Sequence, residues 1–105
     1  LKWGAKEFLF KAGVCRLARI TDVEEQITEM EPKIEEYKDL DVHFGGSYEC
    51  KLLEGVIPAM EKQDITAFKK AMRDYNNVQK LDGWKTTMFL KILRKLEENE
   101  VPDLT

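Results

Sequence analysis

Chemistry in this chain would have to start from a few side chains: the single histidine, His43, the cysteines Cys15 and Cys50, and a large set of carboxylates. A histidine acting as general base needs a nucleophile within hydrogen-bond reach and a third group to orient it. His43 instead sits among the turn formers Asp39, Asp41, Gly45 and Gly46, with no Ser or Cys at a recognisable spacing. It reads as a surface histidine. A reactive Cys15 would need a base and an electropositive setting. Both cysteines fall on apolar helical faces and read as buried, reduced thiols. Gly45-Gly46 lacks the Lys-Ser/Thr of a phosphate loop. Asp39-Leu40-Asp41 lacks the later ligands of a calcium loop and its closing glutamate. The carboxylate pairs Glu24-Glu25 and Glu35-Glu36 belong to a solvated helix face. No catalytic residue, metal or cofactor is assigned, and the chain reads as a non-enzyme.

What remains is binding. Glu97, Glu98, Glu100, Asp103 and Leu104 crowd the last stretch of the chain, interrupted by Pro102. An apolar residue beside acids can enter a pocket while the carboxylates meet Arg or Lys. A frayed, merely solubilising terminus is the plain alternative. At 105 residues the chain is one domain or less, and its net charge is −3 with Lys and Arg interleaved among acids. That gives no nucleic-acid footprint, and no apolar run approaches a membrane span. Leu1 is not an initiator Met and no leader pattern follows it, so a piece of a longer protein is expected.

The elements that would position these residues are helices. Residues ~2–20 carry Trp3, Phe8, Phe10, Val14, Cys15, Leu17, Ala18 and Ile20, an apolar surface broad enough to be flanked on two sides. Gly4 and Gly13 weaken this helix by roughly 1 kcal/mol each but let a neighbour approach closely. Thr21-Asp22-Val23-Glu24 reads as a capping box opening a helix with Val23, Ile27, Met30, Ile34 and Tyr37 inside, kinked or split at Pro32. Residues 39–46 read as an exposed, mobile loop. Ser47 caps a third helix bearing Cys50, Leu53, Val56, Ile57 and Met60, with Pro58 bending its last turn. Asp64 caps a fourth with Ile65, Phe68, Ala71 or Met72, Tyr75 and Val78 inward. Asp82 caps a fifth, in which Trp84, Met88, Ile92 and Leu96 form the buried stripe, and Lys91, Arg94 and Lys95 suit a helix C-terminus. No strand pattern appears, so the class is all-α, with short connections between antiparallel neighbours.

The order of several segments resembles a known family. Leu81-Asp82-Gly83-Trp84-Lys85-Thr86-Thr87-Met88-Phe89-Leu90, the basic helix after it and the terminal Asp103-Leu104 resemble the C-terminus of the soluble NSF attachment proteins, alpha/beta type. Ala5-Lys6-Glu7-Phe8-Leu9-Phe10-Lys11-Ala12 with Cys15, Glu49-Cys50-Lys51-Leu52, and Tyr75 are similar to family segments in the same order. The resemblance covers nearly the whole chain and about the last third of a family member.

It implies a tetratricopeptide-like helical hairpin (1–38), a loop (39–46), a C-terminal helical bundle that closes the array (47–99) and an acidic tail (100–105). It also implies an adaptor that binds SNARE complexes and recruits and stimulates the hexameric ATPase NSF, cytoplasmic and peripheral on membranes through the part preceding this chain. Glu61, Asp64, Glu97, Glu98, Glu100, Asp103 and Leu104 would face the ATPase, and Lys6 the SNARE bundle. Pro58 and Lys62 stand where the family has acids, and Val101 and Pro102 interrupt its acidic tail. A generic tetratricopeptide-type scaffold is the alternative, and the Asp103-Leu104 ending argues against it.

Overall fold

In a computed structural model, described for residues 5–21 and 26–99, regular structure is helical throughout. Six α-helices follow in order: α1 (Ala5–Arg19), α2 (Met30–Leu40), α3 (Val42–Gly45), α4 (Tyr48–Glu61), α5 (Ile65–Val78) and α6 (Gly83–Asn99), with a 3-10 turn at Ile27–Glu29 before α2. The all-α expectation holds over the described residues.

The helix starts follow local chemistry. Ser47 and Asp64, in extended backbone, accept from the amides of Cys50 and Ala67 at 3.1 and 3.0 Å. Asp82 does the same for Lys85 at 2.9 Å. Each satisfies one of the amides a helix start leaves without a partner. Just before the 3-10 turn Gln26 reaches back, its side-chain oxygen taking the Thr21 amide at 2.7 Å. The capping box at Asp22-Val23-Glu24 lies outside the described residues, as do Trp3 and Gly4. The helix expected through Pro32 is interrupted just ahead of it, by the 3-10 turn at Ile27–Glu29. Pro32 is the third residue of α2, where a proline is tolerated in the first turn.

The segment 39–46 differs from a plain loop. Asp41 accepts from the His43 amide and starts α3, and Phe44 is wholly buried, edge-on to Tyr37. Leu40, Val42 and His43 remain exposed. One aromatic anchor thus holds a stretch that its Gly and Asp content marks as a turn.

The core is one continuous cluster to which every α-helix contributes. The largest interface is between α4 and α5, and α6 lies against α1 and α5. Helix α1 meets α2, α3, α4 and α6, which answers the breadth of its apolar surface. Gly13 allows this crowding, since a Cβ there would lie 3.0 Å from Leu53 Cδ1. Phe8 departs from expectation and points to solvent.

The buried stripe of α6 follows expectation at Ile92 and Leu96 but is displaced by one residue in its first half. Phe89, Ile92, Leu93 and Leu96 are buried and Met88 is half-buried, whereas Trp84 is 38% exposed. Its indole carries the Lys11 ammonium at 5.6 Å. Lys85, 4% exposed, takes the core position. On α5, Phe68 and Tyr75 are buried, Ala71 and Met72 are half-buried, and Val78 is exposed rather than inward.

Candidate functional site

Helix α4 ends in a tight corner. The Asp64 amide donates to Ala59 O (2.8 Å) and the Gln63 amide to Met60 O (3.1 Å), with Gln63 at φ 54°. This is the hydrogen-bond pair of a Schellman stop, and it turns the chain at once into α5. Glu61 and Asp64, flanking the corner, are both exposed. Asp64 uses one carboxylate oxygen for its capping bond to the Ala67 amide.

Helix α6 runs to Asn99, past the expected basic end. Lys91, Arg94 and Lys95 therefore precede its last turn, which holds Glu97 and Glu98, both exposed. Lys95 serves another helix: its ammonium donates to the Ala18 carbonyl at the end of α1. A cleft of about 220 Å³ lined by Leu17, Ile20, Met60, Ile92, Leu96 and Glu98 shows that the C-terminal ends of α1, α4 and α6 converge. The acids of the α4–α5 corner and those of the α6 end thus share one end of the molecule.

That arrangement opposes helix electrostatics. The last turns of α4 and α6 contain no basic residue, and glutamates there add to the partial negative charge of the helix ends. Each such placement is unfavourable by about 0.3–1 kcal/mol. Lys62, exposed at the corner, is the local counter-charge. Stability does not account for the pattern. The exposed acids concentrate negative charge at this end of the molecule.

Glu100, Asp103 and Leu104 lie outside the described residues. Lys6 sits elsewhere, on the first turn of α1, half-exposed, with its ammonium 3.6 Å from the buried carboxylate of Glu49. Glu61, Asp64, Glu97 and Glu98 therefore lie toward one end of the molecule, and Lys6 lies apart from them on the first turn of α1.

Around Glu49 lies a constellation that the sequence reading missed. Glu49 is 1% exposed; one oxygen meets Lys6 and the other accepts from Tyr75 Oη at 2.9 Å. Lys85 Nζ donates to that same Tyr75 oxygen at 3.1 Å and lies 3.8 Å from Glu7. It also sits 5.3 and 5.6 Å from the rings of Phe10 and Tyr75, which stack on each other. Burial, then the Glu49 hydrogen bond, holds the Tyr75 hydroxyl well above the ordinary tyrosine range. Two opposite charges are thus buried as a partnered set, tying α1, α4, α5 and α6 together. The available signal was register. Glu49 stands three, four and seven residues before Leu52, Leu53 and Val56, and Lys85 stands four, seven and eleven before Phe89, Ile92 and Leu96.

The cysteines stay apart as free thiols, Cys50 buried and Cys15 half-buried. Burial, then the nearby Glu54 carboxylate, pushes the Cys50 thiol up to about 11, which suits packing rather than nucleophilic attack. Among the described residues no group of three or more His, Cys, Asp or Glu is placed to hold a metal ion. No described helix is long and apolar enough to cross a membrane.

The model of the family described as "Soluble NSF attachment protein, SNAP" matches residues 1–97. The chain is 32% identical over 107 residues to an alpha-soluble NSF attachment protein of Vitis vinifera, covering 100% of this chain and 35% of that protein. It is 30% identical over 100 residues to the alpha-soluble NSF attachment protein of Mus musculus, covering 95% of this chain and 32% of that one. With a probable vesicular-fusion protein sec17 homolog of Schizosaccharomyces pombe it shares 33% identity over 105 residues, 100% and 34% of the two chains. The chain thus spans about a third of the length of the curated relatives it matches. No solved structure matches it. Helical architecture, the order of its segments and these matches lead to one conclusion: the chain belongs to the soluble NSF attachment protein family.

Proposed function

We propose that this chain is the ATPase-facing part of an adaptor that binds SNARE complexes and recruits and stimulates NSF for SNARE disassembly. The observation that carries the reading is the convergence of exposed glutamates on the C-terminal ends of α4 and α6, against the helix dipoles and at one end of the bundle. Glu61, Asp64, Glu97 and Glu98 meet a basic face of the ATPase, and Glu100, Asp103 and Leu104 continue that surface along the chain. The bond-breaking chemistry belongs to the partner, and the adaptor supplies charge and placement. Lys6, half-exposed on α1, is offered to an acidic SNARE bundle while Glu49 neutralises its buried side. The setting is cytoplasmic, on the surface of membranes rather than across them.

The test is retention of the ATPase's N-terminal domain by the immobilised chain. Glu61→Lys/Glu97→Lys/Glu98→Lys is expected to abolish retention, with unchanged helical content and melting. Binding by the parent is expected to weaken steeply with salt, because exposed charges are screened beyond about 10 Å at 0.1 M. Equal retention of parent and triple variant overturns the reading.

A further inference from the structure

Stability does not explain the buried charges around Glu49, because well-packed apolar residues of similar volume serve a core as well or better. The geometry of the set is uneven. Its inner contacts are short: Tyr75 Oη donates to Glu49 at 2.9 Å and accepts from Lys85 Nζ at 3.1 Å. Its outer contacts are loose: Lys6 lies 3.6 Å from Glu49, and Lys85 lies 3.8 Å from Glu7. The two outer partners are neighbours on the first turn of α1 and partly exposed, whereas Glu49 and Lys85 are buried.

Each inner charge can therefore stay in place while its outer partner turns away. Lys85 is held by the Tyr75 hydroxyl and by the rings of Phe10 and Tyr75 at 5.3 and 5.6 Å, and none of these contacts involves Lys6. Glu49 keeps its hydrogen bond from Tyr75 wherever Lys6 points, and the Lys85 ammonium stands one hydroxyl away as a second counter-charge. Lys6 differs from both. It has a flexible stem, water on one side and a single ion pair among the described residues, to Glu49.

We infer that Glu49 is a positioning residue that competes with the carboxylates of an acidic partner for the Lys6 ammonium, and that Lys85, through Tyr75, sets how strongly it competes. In the free chain Lys6 rests against Glu49. On binding, the ammonium swings out to a partner carboxylate, and Lys85 remains as the cation that keeps Glu49 from being stranded. The contact is thus weaker than an unopposed lysine would make, which suits a partner that is gripped and then released. This role of Glu49 rests on the reading of Lys6 as the residue offered to the SNARE bundle.

Equilibrium binding of the chain to an immobilised, preassembled SNARE bundle at low salt decides it, with helical content checked by circular dichroism. Lys6→Ala is expected to weaken binding about two- to fivefold, the share of one exposed ion pair. Glu49→Gln keeps an acceptor for the Tyr75 hydroxyl but no charge, and is expected to tighten binding by a similar factor. Lys85→Met removes the inner cation, leaves Lys6 more firmly held and is expected to weaken binding. Glu49→Gln/Lys85→Met is expected to bind as tightly as Glu49→Gln, so that affinity follows the charge behind Lys6 and not the stability of the core. Lys6→Ala/Glu49→Gln is expected to bind no better than Lys6→Ala.

If Lys6→Ala weakens binding but neither Glu49→Gln nor the Glu49→Gln/Lys85→Met chain tightens it, the inference alone is overturned. Tightening that persists in Lys6→Ala/Glu49→Gln overturns it as well. A parent that is not retained, or full binding by Lys6→Ala, overturns the reading of Lys6 and the role of Glu49 with it.

Discussion

The Lys85 ammonium and the Glu49 carboxylate meet on one hydroxyl, that of Tyr75, at 3.1 and 2.9 Å, inside a bundle that otherwise buries apolar side chains. Burying opposite charges is tolerable only while each keeps its partners, and removing one leaves the other stranded. Glu49→Leu is therefore expected to destabilise the chain by about 3–5 kcal/mol. Adding Lys85→Met to it should recover most of that loss, since no charge then remains buried without its partner. Urea unfolding of the parent, both single variants and the double variant gives the coupling directly. Additive losses would show that the two groups act separately.

Trp84 and Phe89 should trade the roles that hydrophobicity alone suggests. Phe89 is fully buried, with ring neighbours Phe10 at 6.2 Å and Phe68 at 6.3 Å, so Phe89→Ala should cost about 3–5 kcal/mol. Trp84 keeps a wet face and one cation–π contact with Lys11, so Trp84→Ala should cost only about 1 kcal/mol. Thermal melts of the two variants rank them, and a larger loss for Trp84→Ala would contradict the packing.

Gly55 permits the closest approach of α4 to α5. A Cβ there would lie 3.0 Å from the Ala71 Cβ, which has no rotamer to yield. Helix propensity favours Gly55→Ala by about 1 kcal/mol, yet overpacking should outweigh it and leave a net loss of about 1–2 kcal/mol. Ala71→Gly on top of Gly55→Ala should restore part of the loss in chemical denaturation. Stabilisation by Gly55→Ala would mean that the helices part freely.

Alkaline stability should depend on Cys50. Its thiol is raised from 9.0 to about 11 by burial in the folded chain. A raised acid contributes stability that is complete below its unfolded pKa and is lost as pH rises through the folded one. Stability is expected to fall between about pH 9 and 11, and Cys50→Ala should fall less steeply over that window. Alkylation near neutral pH should modify the half-buried Cys15 first and Cys50 only on unfolding. Equal labelling rates in the native chain would contradict the burial of Cys50.

Much of the helical layout could be read from local rules, because caps act within a few residues. Ser47, Asp64 and Asp82 announce their helices by chemistry that needs no tertiary partner. The first half of the α6 stripe departs from expectation for a geometric reason. Steps of four residues drift by about 40° each around a helix, so Trp84, three such steps from Leu96, swings out of the face that Lys85, Phe89, Ile92 and Leu96, stepping 4-3-4, share. Glu49 and Lys85 were hidden because a charge is expected outside unless its partner is known, and their common partner, Tyr75, lies 26 and 10 residues away. Phe44 was hidden by the Gly and Asp residues around it. Of the acidic site, the residues were legible but their meeting was not, since it depends on α6 folding back along α1.

The bond from Lys95 to the Ala18 carbonyl joins residues 77 positions apart. Helices α4 and α5, by contrast, meet across a corner of three residues. Loop closure is entropically harder for the distant pair, and distant pairings slow the search for the native state. The α4–α5 hairpin should therefore form early, and the docking of α6 on α1 should close the fold. During synthesis, α1 emerges with its apolar surface unmatched and waits for α6 to be made. The end of the molecule where α1, α4 and α6 converge is then assembled last, so a surface that depends on all three exists only on a finished chain.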